Sequence, residues 1–280
     1  MSELYGRIVE VLIGPRGQNG RLFRDLRVSF RIEKSLESTP NNASIQIYNL
    51  AASSRSLVEQ DGAVIQLKAG YGENTKILYL GDIARTTTKR SGGDIITEIE
   101  AGDGEFAYQN ATANVSLGPG AKYSQVFSAI GDRLGLSQGS VKIPNPNDQF
   151  QQGFSYSGMA RDALDILTEK QGLEWNIQDG QLQVLPAEVS TDETVILLNS
   201  GSGLVGSPFK TKILRPDLAR IGKGKEEAGV KVVSLLNPEI RPGRRVQVEA
   251  EFVNGIFKVE KVTHSGDTHS SSFYSEVEAR

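Results

Sequence analysis

The sequence predicts a mainly β protein with a smaller α+β part in the middle of the chain. Apolar and polar residues alternate through Leu26, Val28, Phe30 and Ile32, which is the period of a half-buried strand. Near residue 105 this pattern gives way to apolar residues at helical spacing, and strand patterns return towards the carboxyl end.

Residues 1–104 are predicted to form one compact, mostly antiparallel barrel or sandwich. Two further alternating segments support this prediction, one around Ile45 and Ile47 and one that begins at Ile65. Residues 76–90 and 94–102 are predicted to pair as a hairpin with its turn at Ser91-Gly92-Gly93. The segment 53–60 indicates a short helix.

Residues 105–187 are predicted to form a small α+β domain. A first helix is expected from Tyr123 to Leu134, with Gly135 placed to end it. A second is expected after Ser157 as its N-cap and before Gly172. The predicted apolar face of the second helix consists of Met159, Ala163, Ile166 and Leu167.

A hairpin is predicted directly after the second helix. Leu173, Trp175 and Ile177 lead to Asp179-Gly180, and the chain returns through 182–184. Asp-Gly suits a two-residue type I′ turn, because both of its positions need a positive φ.

Residues 188–280 are predicted to form a second β unit of similar size to the first. Its strands are predicted at 194–198, 211–223, 229–236, 244–253, 256–264 and 272–279. Asn254-Gly255 is predicted to be a two-residue turn. Two β ends around an α/β middle suggest a duplicated barrel, although we see no obvious repeated string in the two ends.

Composition excludes several classes of protein. The 280 residues carry a formal net charge of −3, which argues against bulk nucleic-acid binding. The absence of cysteine excludes disulfides, thiolate nucleophiles and Cys-ligated metals. No apolar run approaches the roughly 20 residues of a membrane span. The first residues indicate a strand rather than a signal peptide, so we expect no membrane anchor and folding in the cytoplasm.

Few residues offer the chemistry of a catalytic or metal site. His264 and His269, with Asp267 between them, lack a further His or Cys to complete a metal site, so a solvated or partner-facing turn is the favoured interpretation. Acidic residues concentrate in one segment, where alternation places the first two on the polar face of a strand rather than in a glycosidase pair. These residues are Glu98, Glu100, Asp103 and Glu105. We therefore predict no catalytic residue, no metal and no cofactor.

Glycine-rich and basic segments also lack a nucleotide-binding pattern. Neither 199–208 nor 222–229 matches a phosphate-binding glycine motif. A basic stretch is more simply a solvated face or an electrostatic protein contact than a phosphate site. It contains Lys210, Lys212, Arg215, Arg220, Lys223 and Lys225. A chain with several β units and no visible site favours assembly, because exposed sheet edges invite pairing.

Four segments, in order along the chain, resemble the baseplate hub proteins of contractile-tailed bacteriophages. The similar segments are LRVSFRIEKSLESTPNNASIQIYNLA (26–51), ILLNSGSGLVGSPFKT (196–211), SLLNPEIRPGRRVQVEA (234–250) and NGIFKVEKVTHSGDTHSSSFYSEVEA (254–279). The middle domain is the least similar part. The resemblance implies two tube-protein-like antiparallel β-barrels, at 1–104 and 188–280, that flank the middle α+β domain.

The resemblance also implies partners. It implies a homotrimer whose six barrels match a sixfold tail tube or tube-initiator protein above and a threefold spike protein below. Baseplate wedge proteins would surround it, and DNA or a tape measure would pass through its channel. The chain would therefore be a structural component of the virion, in the tail baseplate, and not an enzyme.

Residues in two of these segments are candidate assembly contacts. Their glycines permit positive φ or close approach of another chain, and their prolines fix bends before strands. The candidates are Asn199, Gly201, Gly203, Leu204, Gly206, Pro208, Asn237, Pro238, Pro242 and Gly243. Alternating apolar residues Val259, Val262, Phe273 and Val277 are predicted to line a core.

Three alternatives stay open from the sequence. A hub or spike of another contractile injection system shares this design, but such spikes normally carry a long C-terminal β-helix. A carbohydrate-binding β module of the tail needs exposed aromatic clusters, and the chain has one tryptophan. A peptidoglycan hydrolase needs a carboxylate pair or a histidine-based site, and no such motif is visible.

Overall fold

The structure, a computed structural model, describes residues 5–191, 194–215 and 225–280. Strands dominate, which confirms the predicted mainly β fold. The first region contains β1 (Arg7–Pro15), β2 (Arg21–Phe23), β3 (Val28–Ser35), β4 (Asn42–Tyr48), α1 (Ala52–Val58), β5 (Ala63–Tyr71), β6 (Asn74–Ser91) and β7 (Asp94–Gly102).

The middle and last regions follow in the same chain order. The middle region contains α2 (Glu105–Asn110), β8 (Thr112–Leu117), β9 (Ala121–Lys122), α3 (Tyr123–Leu134), β10 (Ser137–Val141), β11 (Gln149–Phe150), β12 (Phe154–Met159), α4 (Ala160–Gln171), β13 (Leu173–Gln178) and β14 (Gln181–Pro186). The last region contains β15 (Val195–Leu198), β16 (Leu204–Arg215), β17 (Lys225–Leu235), β18 (Arg245–Glu249), β19 (Asn254–Asp267) and β20 (Phe273–Ala279).

One sheet runs through both β regions. Its order is β16-β17-β20-β19-β3-β4-β7-β6-β5-β1-β2, and β18 and β15 join it beside β19. The first eight of these strands are antiparallel throughout, and we call them the ribbon. The ribbon consists of a first half-ribbon (β3-β4-β7-β6) and a second half-ribbon (β16-β17-β20-β19), which meet where β19 pairs with β3. We call that pairing the seam.

Alternation explains why the ribbon has a core face and an open face. Side chains such as Phe30, Ile32 and Ile45 are buried, while Arg31 and Ser44 between them are exposed. The predicted core residues of the last region are buried as well, and they are Val259, Val262, Phe273 and Val277. Phe273 and Leu236 belong to the core cluster of the first region, so the two β regions share apolar packing.

The two half-ribbons repeat one topology. A hairpin, β3–β4 or β16–β17, takes the first two positions. The next strand, β5 or β18, leaves the ribbon and pairs with the start of a long strand. That long strand, β6 or β19, takes the fourth position. The chain then turns back, and the following strand, β7 or β20, takes the third position. Both long strands contain the same β-bulge, because the register shifts between Ile83 and Arg85 and again between Val259 and Lys261.

Alignment of the two bulges reveals a short sequence repeat. Arg85 pairs with Glu100, and Lys261 pairs with Glu278. Residues 97–101 then align with 275–279, and these segments read TEIEA and SEVEA. No repeated string was obvious from the sequence, and this short match becomes visible only when the bulges are aligned. Conservative exchanges of Thr for Ser and Ile for Val conceal a repeat that the strand positions make plain.

The middle region has its own core beneath α3 and α4. Gly135 and Gly172 end these helices with φ of 67° and 63°, as predicted. Asp179 and Gly180 have φ of 53° and 76° between β13 and β14, which confirms the predicted turn.

Three local predictions, two in the middle region and one in the last region, were wrong. The second helix begins at Ala160, since Ser157 lies in β12, which pairs with the unpredicted strand β8. Ile166 is exposed, because the buried face consists of Ala160, Ala163, Leu164, Leu167 and Thr168. Asn254-Gly255 is not a turn, because both residues pair with β18 and the chain reverses at 250–253. The division into three domains at 104 and 187 stays a prediction.

Candidate functional site

Each end of the ribbon includes an edge segment without a strand partner in the residues that the structure describes. β16 pairs with β17 alone. The pairing of β6 with β5 stops at Asp82, so Arg85–Ser91 pair with β7 alone. Backbone N–H and C=O groups on such edges can pair with another chain.

The two edges differ in chemistry. Beside the β16 edge, Val205, Phe209 and Val233 are exposed apolar residues on the open face, and Phe209 is 57% exposed. Along the β6 edge, Thr87 and Lys89 are exposed on the same face. The β16 edge therefore offers apolar area, and the β6 edge offers hydroxyl and ammonium groups.

Six of the sequence-predicted contact residues lie in or beside the start of β16. Asn199 shapes the loop, because its Oδ1 accepts hydrogen bonds at 3.0 Å from the backbone N–H groups of Gly201 and Ser202. Gly203 and Gly206 have φ of 97° and 67°, which side chains rarely adopt. Leu204, Gly206 and Pro208 line an open pocket of about 530 Å³ together with Phe252, which is exposed. The structure thus brings Asn199, Gly201, Gly203, Leu204, Gly206 and Pro208 together at the β16 edge.

The other four candidates lie apart from that edge, in the loop after β17. Pro238, Pro242 and Gly243 are buried and Asn237 is half-buried. Gly243 has φ of 84°, and a Cβ there would lie 2.7 Å from Cγ2 of Thr191. This loop contacts the first region, because Arg241 donates a hydrogen bond to the carbonyl of Ile77 at 3.0 Å. Packing within the chain accounts for these residues, and their contact with another chain stays a prediction.

A buried polar cluster, which the sequence analysis missed, joins the three regions next to the seam. Lys34 of β3 is 1% exposed, and its Nζ lies 2.6 Å from Oδ1 of Asp179 in the β13–β14 turn. The buried Asp103 accepts hydrogen bonds from the backbone N–H groups of Asp179 and Gly180. Arg241 of the last region lies 3.5 Å from the other oxygen of Asp179. We call Lys34, Asp103, Asp179 and Arg241 the junction cluster.

Neutral hydrogen bonds surround the junction cluster. Asn41 donates to the carbonyl of Ile177 at 2.8 Å, and Gln178 donates to the carbonyl of Ser35 at 2.7 Å. Burial, and then the nearby Asp179 carboxylate, raise the pKa of Asp103 to about 6. Alternation along β3 already placed Lys34 on the face of Phe30 and Ile32, so strand parity was the signal that could have found this cluster.

The interpretation of a solvated or partner-facing turn was wrong for His264, which lies within β19 at the seam, whereas His269 is exposed in the turn after β19. His264 is 1% exposed, and its Nδ1 lies 2.8 Å from Oγ of Ser275. Burial, and then the nearby Lys34, lower the pKa of His264 to about 3. Asp267 pairs with Arg27 at 2.9 Å, and it also accepts a hydrogen bond from the backbone N–H of His269. Over the described ranges, no group of three or more His, Cys, Asp or Glu residues is arranged to hold a metal ion.

The acidic and basic segments form ion pairs on the open face. Glu100 pairs with Arg85 at 2.6 Å, and Glu98 with Lys89 at 2.8 Å, across the β6–β7 hairpin. A hydrogen bond with Arg85 lowers the pKa of Glu100. Glu98 and Glu100 therefore point out of a strand as predicted, while Asp103 belongs to the junction cluster. Lys210 and Lys212 are exposed on β16, and Arg220 and Lys223 lie outside the described residues.

Comparison with known proteins gives a family and a set of related folds. The family model described as baseplate hub gp41 matches residues 8–279. A 43 kDa tail protein of prophage MuSo2 from Shewanella oneidensis has a similar structure, with a TM-score of 0.66, 10% identity and coverage of 97% of this chain and 96% of that one. A tail protein from Neisseria meningitidis MC58 gives 0.66 at 12% identity, with 98% and 96% covered.

A secretion-system protein has the same fold. The E. coli c3393 protein, described as a type VI secretion component with structural similarity to T4 tail proteins gp27 and gp5, gives a TM-score of 0.60 at 12% identity, with 95% of this chain and 76% of that chain covered. No curated protein matches the sequence. Within the described residues, none of the helices has both the length and the apolar character that a membrane span requires.

Proposed function

This chain belongs to the baseplate hub gp41 family, and from that premise we propose that three copies close into a ring that adapts a sixfold tail tube to a threefold spike. It is a structural hub protein of the phage virion, and its place is the tail baseplate. The trimer, the contractile tail and the individual neighbours belong to the proposal.

The repeat of two half-ribbons within one chain is the observation that carries this proposal. Both halves have the same strand order, the same bulge and the TEIEA or SEVEA segment. A subunit with two near-equivalent units can obey threefold symmetry and still offer six similar units to a sixfold neighbour. The two halves also follow one another in the same direction along the sheet, which is the arrangement that a ring of six units requires.

The even number of strands in the ribbon supports closure of the ring. The ribbon has eight strands, all antiparallel, so β16 at one end and β6 at the other run in opposite directions. An edge of β6 can therefore meet β16 of the next chain as another antiparallel pair. Three copies of eight strands would give a closed wall of 24 strands without an exposed edge.

The open face of the ribbon would line the channel of this ring, because the core and the remaining strands lie on the other face. Cations on the open face are paired with carboxylates across strands. Examples are Lys231 with Glu278 at 2.8 Å and Lys261 with Glu33 at 3.2 Å. Paired cations release few counterions from a phosphate backbone, so such a wall would let DNA or a tape measure pass without binding it.

The proposed partners follow from this arrangement. A tail tube or tube-initiator protein would contact the six units from above, a spike protein would contact the trimer from below, and wedge proteins would surround it. We propose that the chain makes and breaks no bond itself. Similarity to the E. coli c3393 protein favours, as a second candidate, the same hub role in another contractile injection system.

Mass and shape of the purified chain test the proposed ring. Light scattering at micromolar concentration is expected to give three times the monomer mass, and electron micrographs are expected to show a ring of six lobes. A strict monomer that also fails to form rings with tail components contradicts the proposal. A ring of three undivided lobes contradicts the proposal of six similar units but leaves the trimer standing.

A further inference from the structure

We propose that the contact between neighbouring chains repeats the seam within each chain, and that it places Thr87 of one chain opposite Thr211 of the next. This inference rests on the proposed ring and assigns the partner of its two free edges, which is a second copy of this chain.

The seam supplies the template. There, β19 pairs with β3. In spatial order across the sheet, β19 is the last strand of the second half-ribbon and β3 is the first strand of the first half-ribbon. Seven residue pairs form it, and on the open face Thr263 lies opposite Glu33 and Ser265 lies opposite Arg31. By the same topology, β6 is the last strand of the first half-ribbon and β16 is the first strand of the second. A β6–β16 contact is therefore the same junction, formed between two chains.

The shared bulge fixes the register on the β6 side. The residue after the bulge is Lys261 in β19 and Arg85 in β6, and each pairs with a glutamate of the next strand. Two residues further along, Thr263 of β19 therefore corresponds to Thr87 of β6. Both are threonines on the open face of a fourth-position strand.

Rows of paired residues fix the register on the β16 side. From Lys261 the row crosses the second half-ribbon through Glu278 and Lys231 to Phe209. The corresponding row in the first half-ribbon runs from Arg85 through Glu100 and Ser44 to Arg31. Phe209 therefore corresponds to Arg31, and Thr211 corresponds to Glu33. The seam pair Thr263–Glu33 becomes the pair Thr87–Thr211 between chains.

This register gives compatible neighbours along the whole contact. Lys89 would lie opposite Phe209, where an ammonium can rest on the aromatic ring that is exposed in the single chain. Arg85 would lie opposite Ile213 with its alkyl stem. Paired threonines suit a sheet because β-branched side chains pack well across strands. On the other face, Lys210 and Lys212 would face the hydroxyls of Thr88 and Thr86, so no cation lies directly opposite another.

Engineered cysteines test the register directly, because the chain contains no cysteine of its own. The full chain with Thr87→Cys and Thr211→Cys is oxidised and run on a non-reducing gel. Directly opposed residues are close enough for a disulfide. We expect a ladder that ends at a covalent trimer, in most of the material, and that collapses on reduction.

Matched variants separate register from mere proximity. Thr88→Cys with Thr211→Cys shifts one partner to the opposite face, so we expect at least tenfold less trimer. Lys89→Cys with Phe209→Cys keeps the face and register, and it provides a second readout should the first pair disturb folding.

Each outcome then decides one claim. The register is overturned if the Thr88→Cys, Thr211→Cys chain cross-links as well as the Thr87→Cys, Thr211→Cys chain. It is also overturned if neither the Thr87–Thr211 pair nor the Lys89–Phe209 pair cross-links while light scattering shows a trimer. Both outcomes leave the proposed ring standing. A wild-type chain that is monomeric in solution and in assembled tails overturns the ring and the register together.

Discussion

The two half-ribbons place different side chains at equivalent positions, and the difference reflects whether the neighbouring strand belongs to the same chain. His264 in β19 corresponds to Thr88 in β6, by the alignment of the bulges. His264 is covered by β3 and contacts Ser275 at 2.8 Å, whereas Thr88 is exposed and contacts Thr97 at 3.4 Å. A covered edge holds a neutral, buried imidazole, and an open edge holds a side chain that water can reach.

A second pair of positions gives the same lesson. Lys34 of β3 corresponds to Lys212 of β16, and the first is fully buried while the second is exposed. Burial of Lys34 depends on the junction cluster, because an ammonium group removed from water needs a charged partner. We infer that the junction cluster holds the two half-ribbons and the β13–β14 turn in one arrangement, since other placements leave a buried charge unpaired.

Acid should weaken the seam through His264, and this is the largest effect we expect. Burial, and then Lys34, lower its pKa from 6.5 to about 3, so below pH 6.5 the unfolded chain binds a proton that the folded chain does not. The stabilisation present above pH 6.5 is therefore lost as the pH falls to 3, by about 5 kcal/mol. The free energy of unfolding, measured in urea at several pH values, is expected to fall more steeply in the wild type than in His264→Asn. The contribution of Asp103 to stability has the opposite pH dependence, but Asp103 is present in both the wild type and His264→Asn, so it does not affect the comparison. Equal slopes would refute the assignment to His264.

Removal of Lys34 tests the junction cluster. Lys34→Met leaves Asp179, whose side chain is 11% exposed, without its closest cation, so we expect a loss of about 3 kcal/mol in the free energy of unfolding. Adding Asp179→Asn is expected to restore part of that loss, because an amide has no charge to leave unpaired and asparagine tolerates the positive φ at this turn. If the double variant is no more stable than Lys34→Met alone, Asp179 is not the partner that matters.

Gly266 tests the packing at the seam. A Cβ at this position would lie 2.5 Å from Cζ of Phe30 and 2.9 Å from Cδ2 of Phe273, both in the core. Gly266→Ala is therefore expected to cost about 1–3 kcal/mol in urea denaturation. Gly93→Ala at the tip of the β6–β7 hairpin, where a Cβ meets nothing within 4 Å, is the control and should change stability by under about 0.5 kcal/mol. Similar costs at both positions would contradict a tight seam.

Local patterns predicted most elements of the fold but not how they combine. Alternation identified strands, Gly135 and Gly172 identified helix ends, and Asp179-Gly180 identified a turn. These features are predictable because they depend on residues that are neighbours in the sequence. The seam joins residues more than 220 positions apart, such as Lys261 and Ser35, and no local signal specifies that pairing. Asn254-Gly255 misled for the converse reason, since pairing with β18 overrode its turn preference.

The residues of the candidate site were also predictable only where their signal is local in the sequence. Glycines and asparagine around β16 were visible as a motif, and they do lie together. By contrast, Lys34, Asp103 and Asp179 come from three distant segments, so only the parity of β3 gave any sign of a buried lysine.

The smallest expected effect comes from the open face of the same seam. Lys261 pairs with Glu33 at 3.2 Å, with both side chains about 40% exposed. Burial alone would raise the pKa of Glu33, but hydrogen bonds with Lys261 and Arg31 outweigh it and lower that pKa. Water and salt screen such a pair, so a double-mutant cycle with Lys261→Gln and Glu33→Gln is expected to give a coupling free energy under about 1 kcal/mol that shrinks further in 1 M salt. Lys34 and Lys261 stand on adjacent strands at the same seam, one on each face. A coupling as large as that of the Lys34–Asp179 pair would mean that water does not reach the open face, and the channel wall would then have to be sought elsewhere.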